Sequence, residues 1–234
     1  MTQHETQQVQ WKRLVGEEAA RLVEDGMAVG LGTGSTATQF VYALARRIEA
    51  GLHIAGGVCS SQATKDLAVS LNIPVTDLDT YPELDLYIDG ADEIDPQLRL
   101  LKGAGGALLR EKVLASTAKR FVVIADISKQ VSHLGQHFPV PVETTPFAVT
   151  PVRRQLEALG ATVTIRQRGD SIFITDNHNI ILDCAFPQGI SEPETLDARI
   201  HSIVGVVETG FFFKLAQAAI IGGPEGIKLL TAVK

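Results

Sequence analysis

The chain has 234 residues, 45% hydrophobic and 21% charged, with a formal net charge of −6. That much apolar chain can bury a sizeable core unaided, and the acidic balance argues against a general nucleic-acid binder, which carries a basic face. No run reaches the ~18 apolar residues of a membrane helix, the start MTQHETQQVQWKRLV has no signal-type apolar stretch, and Cys59 and Cys184 show no C-x-x-C spacing, so a cytoplasmic protein with reduced thiols is expected.

Trp11, Val15, Ala19 and Leu22 recur at helical spacing and predict a first helix over Val9 to Glu24, closed by Asp25-Gly26. Met27 to Leu31 is a short strand, and Ser35 to Ala50 a helix stopped by Gly51. Then come a weak strand (Ile54 to Cys59), a helix (Gln62 to Leu71) and strands at Ile73 to Val75 and Leu84 to Ile88. Ala107 to Ala118 reads as helix and Phe121 to Ala125 as a buried strand. Alternating strands and helices imply crossover connections and a mainly parallel, Rossmann-like sheet. Short continuous apolar strands fit a sheet with helices on both faces.

The pattern changes beyond Lys129. Phe138 to Val142 is extended, and a helix starts at Thr150 with Pro151 at its first position and runs to Leu159. Thr162 to Gln167, Ser171 to Thr175 and Ile180 to Asp183 read as strands, with a hairpin turn at Asp176 to Asn179. Glu194 to Ile203 is helical again. The fold class expected is an α/β body over 1–130 and 205–234, with a smaller α+β, ferredoxin-like insert over 131–204.

Polar segments follow the apolar strands of the body, and ligands of open parallel sheets bind beyond the carboxyl ends of the strands. The first is Gly30-Leu31-Gly32-Thr33-Gly34-Ser35-Thr36, where glycines, a helix start and three hydroxyls suit a phosphate. A plain capped turn explains the same residues equally well. Gly32 to Ala37 formally matches G-x-G-x-x-A, but no acidic residue follows in Ile54 to Ser61, and the P-loop lysine is missing. A nicotinamide cofactor and ATP are therefore disfavoured.

The second segment, Asp89-Gly90-Ala91-Asp92-Glu93-Ile94-Asp95, carries four carboxylates in a spacing unlike a Ca²⁺ loop. Asp89 and Asp92 suit sugar hydroxyls or a metal, while Glu93 and Asp95 read as exposed turn residues. In the third, Lys102 to Lys112, a glycine-rich turn offers a cation and backbone N–H groups to an oxyanion, and Glu111 lies about one turn into the helix, although on this stretch alone an ordinary exposed helix of mixed charge is the better reading. The fourth, Ala125 to Lys129, brings Lys129 as a candidate cation for phosphate, with Lys12 on the first helix a weaker one, and an exposed lysine on a solvated face explains either taken alone. His133 and His137 are four apart, but Gly135 and Pro139 break a helix there, so no metal site is expected. Phe211-Phe212-Phe213 and Ala218 to Ile221 read as core or subunit interface.

In this order the segments resemble ribose-5-phosphate isomerase of the A type. The words that carry the resemblance are VGLGTGST at 29–36, YIDGADEID at 87–95, LKGAGGALLREK at 101–112, ADISKQV at 125–131, GVVETG at 205–210 and GGPEGIK at 222–228. The resemblance implies that Thr33, Gly34, Ser35 and Thr36 hold phosphate with Lys129 and Lys12. It implies that Asp89 and Asp92, with Gly90 and Ala91 between them, face the sugar. Lys102 with Gly103, Ala104 and Gly105 would stabilise the intermediate, and Glu111 would be the general base. It further implies no metal, no organic cofactor, no nucleic-acid or membrane partner, and a homodimer or tetramer acting on a small phosphorylated sugar.

Ala104 stands where the family commonly has Gly, and Phe211 to Phe213 is bulkier than expected. Three other classes fit a similar scaffold, one of them a phosphate-binding α/β protein with no chemistry, which would bind its ligand without turnover. An amino-sugar phosphate deaminase would release ammonia. A sugar-phosphate sensor would need a DNA-reading module, for which the two dozen or so residues before the first strand leave no room.

Overall fold

The structure is a computed structural model that describes residues 3–231, with residues 3–6 as backbone alone. The His4 side chain and the tail end at 232–234 lie outside the described residues. In chain order the elements are α1 (Gln3–Ala20), β1 (Ala28–Leu31), α2 (Ser35–Glu49), β2 (Gly56–Cys59), α3 (Gln62–Ser70), β3 (Leu86–Asp89), β4 (Glu93–Ile94) and β5 (Leu100–Leu101). They continue with α4 (Leu108–Thr117), β6 (Phe121–Asp126), β7 (Val140–Thr144), α5 (Val149–Ala158), β8 (Thr162–Ile165), β9 (Gln167–Arg168) and β10 (Ser171–Ile172). Last come β11 (Ile180–Ala185), α6 (Pro193–His201), β12 (Val206–Thr209), β13 (Phe211–Phe212), β14 (Ala218–Gly223) and β15 (Gly226–Thr231).

By internal contact the chain divides into two compact units. The first holds the residues up to Ala91, Arg110–Lys129 and those from Lys214 onward, and the second holds Asp92–Leu109 and Gln130–Phe213. The sequence reading left 92–109 and 205–213 with the body. Strand pairing explains why they cluster elsewhere: β5 pairs with both β4 and β13, and β12 pairs with β7.

The first unit is an α/β sheet in the order β15-β14-β6-β3-β1-β2. Its pairs are parallel except that β15 returns antiparallel on β14. Val29, Leu31, Leu86, Ile88, Val122 and Ile124 of the strands form one core with Val15, Phe40, Leu44 and Ala68 of the helices. Burying such side chains is worth about 1.5–3 kcal/mol each before the entropy cost. Gly30 has a specific reason: a Cβ there would lie 2.5 Å from the Tyr87 ring on the neighbouring strand. The carboxyl ends of β1, β3 and β6 lead into the polar segments at 32–36, 89–92 and 126–129.

The second unit is built on the antiparallel sheet β12-β7-β11-β8, with a three-stranded sheet β13-β5-β4 and the hairpin β9–β10. Val140, Val142, Val152, Leu156, Leu182, Ile200 and Phe211 share its core.

Several elements differ from the sequence expectation. Val75 makes a single bridge to Gly57 and no strand. A 3₁₀ turn at Pro146–Ala148 precedes α5, so Pro151 is the third residue of the helix and not the first. The tail forms β12 to β15, which the sequence reading left unassigned.

Candidate active site

In the first unit the turn after β1 is built around Asp89. A Cβ on Gly32 would lie 2.2 Å from Asp89 Oδ1, so only glycine lets the loop approach. The Thr33 N–H donates to that oxygen at 2.9 Å, and the Gly90 N–H at 2.7 Å. Gly34 turns the chain at φ +104° into α2, whose start has no side-chain cap. Its free N–H groups and dipole favour an anion. The Thr33 hydroxyl lies 2.7 Å from Ser60 Oγ, 2.8 Å from Ser61 Oγ and 3.2 Å from Thr64 Oγ1. Lys12 Nζ donates to Ser35 Oγ at 3.0 Å and lies 3.9 Å from the buried Asp126 carboxylate. Thr36 is buried in the first turn of α2. Lys129, half-buried, ends the 3₁₀ turn Ile127–Lys129 that follows β6.

Behind Asp89 stands Tyr87, fully buried and stacked on Phe121 with ring centroids 4.8 Å apart. Its hydroxyl donates to Asp89 Oδ2. Burial pushes the Tyr87 phenol well above its usual range, and the charges of Asp89 and Glu111 push it further. It is therefore a neutral, fixed donor. Glu111 itself is 4% exposed, in the first turn of α4. Asp89, Tyr87 and the Thr33 turn thus form one hydrogen-bonded group of the first unit, and the charge of Glu111 acts on Tyr87.

In the second unit Asp92 Oδ2 accepts the Ala104 N–H at 2.8 Å. Lys102 is buried, its ammonium 5.6 Å from the Phe212 ring centroid and its N–H on Gly210 O at 2.8 Å. Gly103 and Gly106 turn the chain at φ +107° and +84°. Ala104 and Gly105 between them are exposed, so the Ala104 methyl has room.

Residues 56–226 match the family described as ribose 5-phosphate isomerase A (phosphoriboisomerase A). The chain belongs to this family. It is 50% identical over 224 residues to the ribose-5-phosphate isomerase A of Roseiflexus sp. (strain RS-1), covering 95% of this chain and 96% of that one. The ribose 5-phosphate isomerase A structure from Methanocaldococcus jannaschii superposes with a TM-score of 0.90 at 41% identity, over 95% of this chain and 98% of that one. A D-ribose-5-phosphate isomerase in complex with phospho-erythronic acid superposes with a TM-score of 0.91 at 38% identity, with the same coverage.

Two of the acidic residues need correction. Glu93 and Asp95 are not exposed turn residues; both are buried. The Glu93 carboxylate accepts the N–H groups of Gly135, His137 and Phe138 at 2.6, 2.5 and 3.0 Å. Asp95 accepts the Gln97 and Arg99 N–H groups and the Arg99 guanidinium. They brace loops. His137 thereby serves through its backbone, and among the described residues no group of three or more potential metal ligands gathers. No helix among the described residues is long and apolar enough to cross a membrane.

Sequence reasoning missed Tyr87, Ser60, Ser61 and Thr64. A signal existed for the last three: Ser60-Ser61 follows β2 as the other polar segments follow their strands, and Ser61 caps α3 by accepting the Thr64 N–H.

Proposed function

We propose that Glu111 is the general base of the reaction, taking the proton from C2 of the open sugar and returning it to C1. As a member of its family the protein interconverts D-ribose 5-phosphate and D-ribulose 5-phosphate. The observation that carries the assignment is the position of Glu111, buried in the first turn of α4, with its charge acting on the Tyr87 phenol that donates to Asp89. That pair is in turn tied to the Thr33 turn by a backbone hydrogen bond. A positioned base is worth about 10²- to 10⁴-fold.

The remaining roles follow from charge. Thr33 to Thr36 with Lys12 and Lys129 anchor the phosphate, which holds the reacting carbons in place. Asp89 and Asp92, flanking Gly90 and Ala91, handle the ring oxygen and hydroxyls during opening. Lys102 and the Gly105 N–H stabilise the enediolate more than the ground state, while the Ala104 N–H holds Asp92. A phosphorylated four-carbon aldonic acid fits the same groups, since its carboxylate carries negative charge where the enediolate does. The body of the enzyme is the first unit, the protein works in the cytoplasm as a homodimer or tetramer, and it needs neither metal nor organic cofactor.

The test is to incubate chelator-treated protein with ribose 5-phosphate in deuterium oxide. Ribulose 5-phosphate with deuterium at C1 is the expected product, because a carboxylic acid that shuttles the proton exchanges it with solvent. Light scattering on the same sample gives the subunit count. Ammonia release from an amino-sugar phosphate, with no ketose formed from ribose 5-phosphate, would replace this reading with the deaminase.

A further inference from the structure

Arg166 lies between β8 and β9, and it is mostly buried. Its Nε donates to Asp183 Oδ2 at 2.9 Å and its Nη2 to Asp183 Oδ1 at 2.5 Å, a two-pronged pair. The remaining arm, Nη1, reaches the Gly103 carbonyl at 2.5 Å and the Ala104 carbonyl at 3.2 Å. Both carbonyls belong to the turn that follows Lys102. No part of the mechanism above uses this arginine.

We infer that Arg166, clamped by Asp183, is a positioning residue that aims the 103–105 turn at the substrate. The physical reason is the planar trans peptide, whose C=O and N–H point in opposite directions. Drawing the carbonyls of Gly103 and Ala104 onto one guanidinium directs the N–H groups of Ala104 and Gly105 the other way. The Ala104 N–H then meets Asp92 Oδ2, so Arg166 also sets the orientation of Asp92. The geometry suits arginine specifically, since its rigid fork can hold a carboxylate with two arms and still present a third donor.

The surrounding hairpin supports the same turn. A Cβ on Gly106 would lie 2.4 Å from the Phe173 ring, so that ring is seated on the glycine. The Phe173 N–H donates to the Arg166 carbonyl at 2.9 Å, and the Arg168 guanidinium covers the ring at 4.6 Å from its centroid. The far end of this segment is fixed by Glu143, fully buried, whose Oε1 accepts from Thr175, Asn177 and Asn179. A turn with two glycines at positive φ is held in one conformation from outside, by a charged pair and a ring.

The inference rests on the assignment of the 103–105 turn to the enediolate, and the experiment separates the two. Wild type, Arg166→Ala, Arg166→Lys and Glu111→Gln are compared in kcat, KM and affinity for phosphorylated erythronic acid and for inorganic phosphate. Arg166→Ala is expected to lose about 10- to 100-fold in kcat, as misplaced positioning groups do, with KM within about 3-fold. Its affinity for the aldonic acid should fall in proportion, and its affinity for inorganic phosphate should stay within about 2-fold. Arg166→Lys keeps a cation beside Asp183 but lacks the second arm. It guards against a folding defect in the alanine variant and is expected to show the same split with a native circular dichroism spectrum.

Wild-type kcat in either folded variant overturns the inference. So does an equal loss of affinity for both ligands, which would mark Arg166 as merely structural. An inactive wild type, or full turnover in Glu111→Gln, instead overturns the functional reading itself.

Discussion

Around Thr33 in the first unit and around Glu93 and Asp95 in the second, polar groups are buried in opposite ways. In the first, the Thr33 hydroxyl sits among three other hydroxyls within 3.2 Å. In the second, the Glu93 carboxylate is saturated by three backbone N–H groups and Asp95 by two more and a guanidinium. A hydroxyl both donates and accepts and can turn to a new partner at little cost, whereas a buried carboxylate is acceptor-only and costly to leave unpaired. Buried polarity therefore has two meanings here. Hydroxyl clusters at strand ends can be re-partnered by a ligand, while Glu93 and Asp95, saturated by donors of the loops they brace, hold backbone in place.

The sharpest way to break that comparison is at Glu111, a buried carboxylate assigned to chemistry and not to bracing. Glu111→Gln is expected to lower kcat at least about 10²-fold with KM changed little. Steady-state kinetics on both substrates checks this. A variant that keeps its turnover but loses thermal stability would place Glu111 with the bracing carboxylates.

Glu93 is the converse case. Glu93→Gln sets an amide N–H₂ against donors that need an acceptor, and is expected to destabilise the fold by about 2–3 kcal/mol. That corresponds to a fall of roughly 5–10 °C in Tm, with kcat per folded molecule kept within about 3-fold. Calorimetry and kinetics on the same preparation decide it.

Legibility in the sequence followed the same divide. The segments at 32–36, 89–92, 102–105 and 126–129 were readable because each polar run interrupts an apolar strand-and-helix pattern, a local signal. Tyr87 was not, because an aromatic inside an apolar strand reads as core, and the space it occupies is set by Gly30 on another strand. Glu93 looked exposed because four acids in seven residues suggest a solvated turn. Its donors come from Gly135 to Phe138, more than forty residues away. Arg166 was invisible for the same reason, since its partners are Asp183 and a turn some sixty residues earlier. Strands of two residues such as β4, β5 and β13 carry no periodicity at all.

Thr33 sharpens the comparison from the hydroxyl side. Thr33→Val keeps the shape and removes the shared oxygen. KM should rise about 10-fold, the value of one hydrogen bond to a charged group, with kcat within about 3-fold. Unchanged KM would mean that the cluster is structural and that Ser35, Thr36 and the lysines hold the phosphate without it.

The smallest expected effect concerns His201, a bracing group that titrates. Its ring lies 3.2 Å from Asp197 and 2.8 Å from Glu208, and hydrogen bonding to the first and then the second pushes it up to about 10. The unfolded chain takes up its proton with the ordinary value of 6.5. A value raised on folding means that the stabilisation is fully present below about pH 6.5 and is lost as pH rises through about 10. The site is more than a third exposed, so screening keeps the effect to about 1–4 °C in Tm. His201→Gln should therefore melt below wild type at pH 6, with the gap closing by about pH 10 and the isomerase rate unaffected. A gap that persists unchanged across that range would mean that the ring acts through packing, and that charge in the second unit braces the backbone only where it is fully buried.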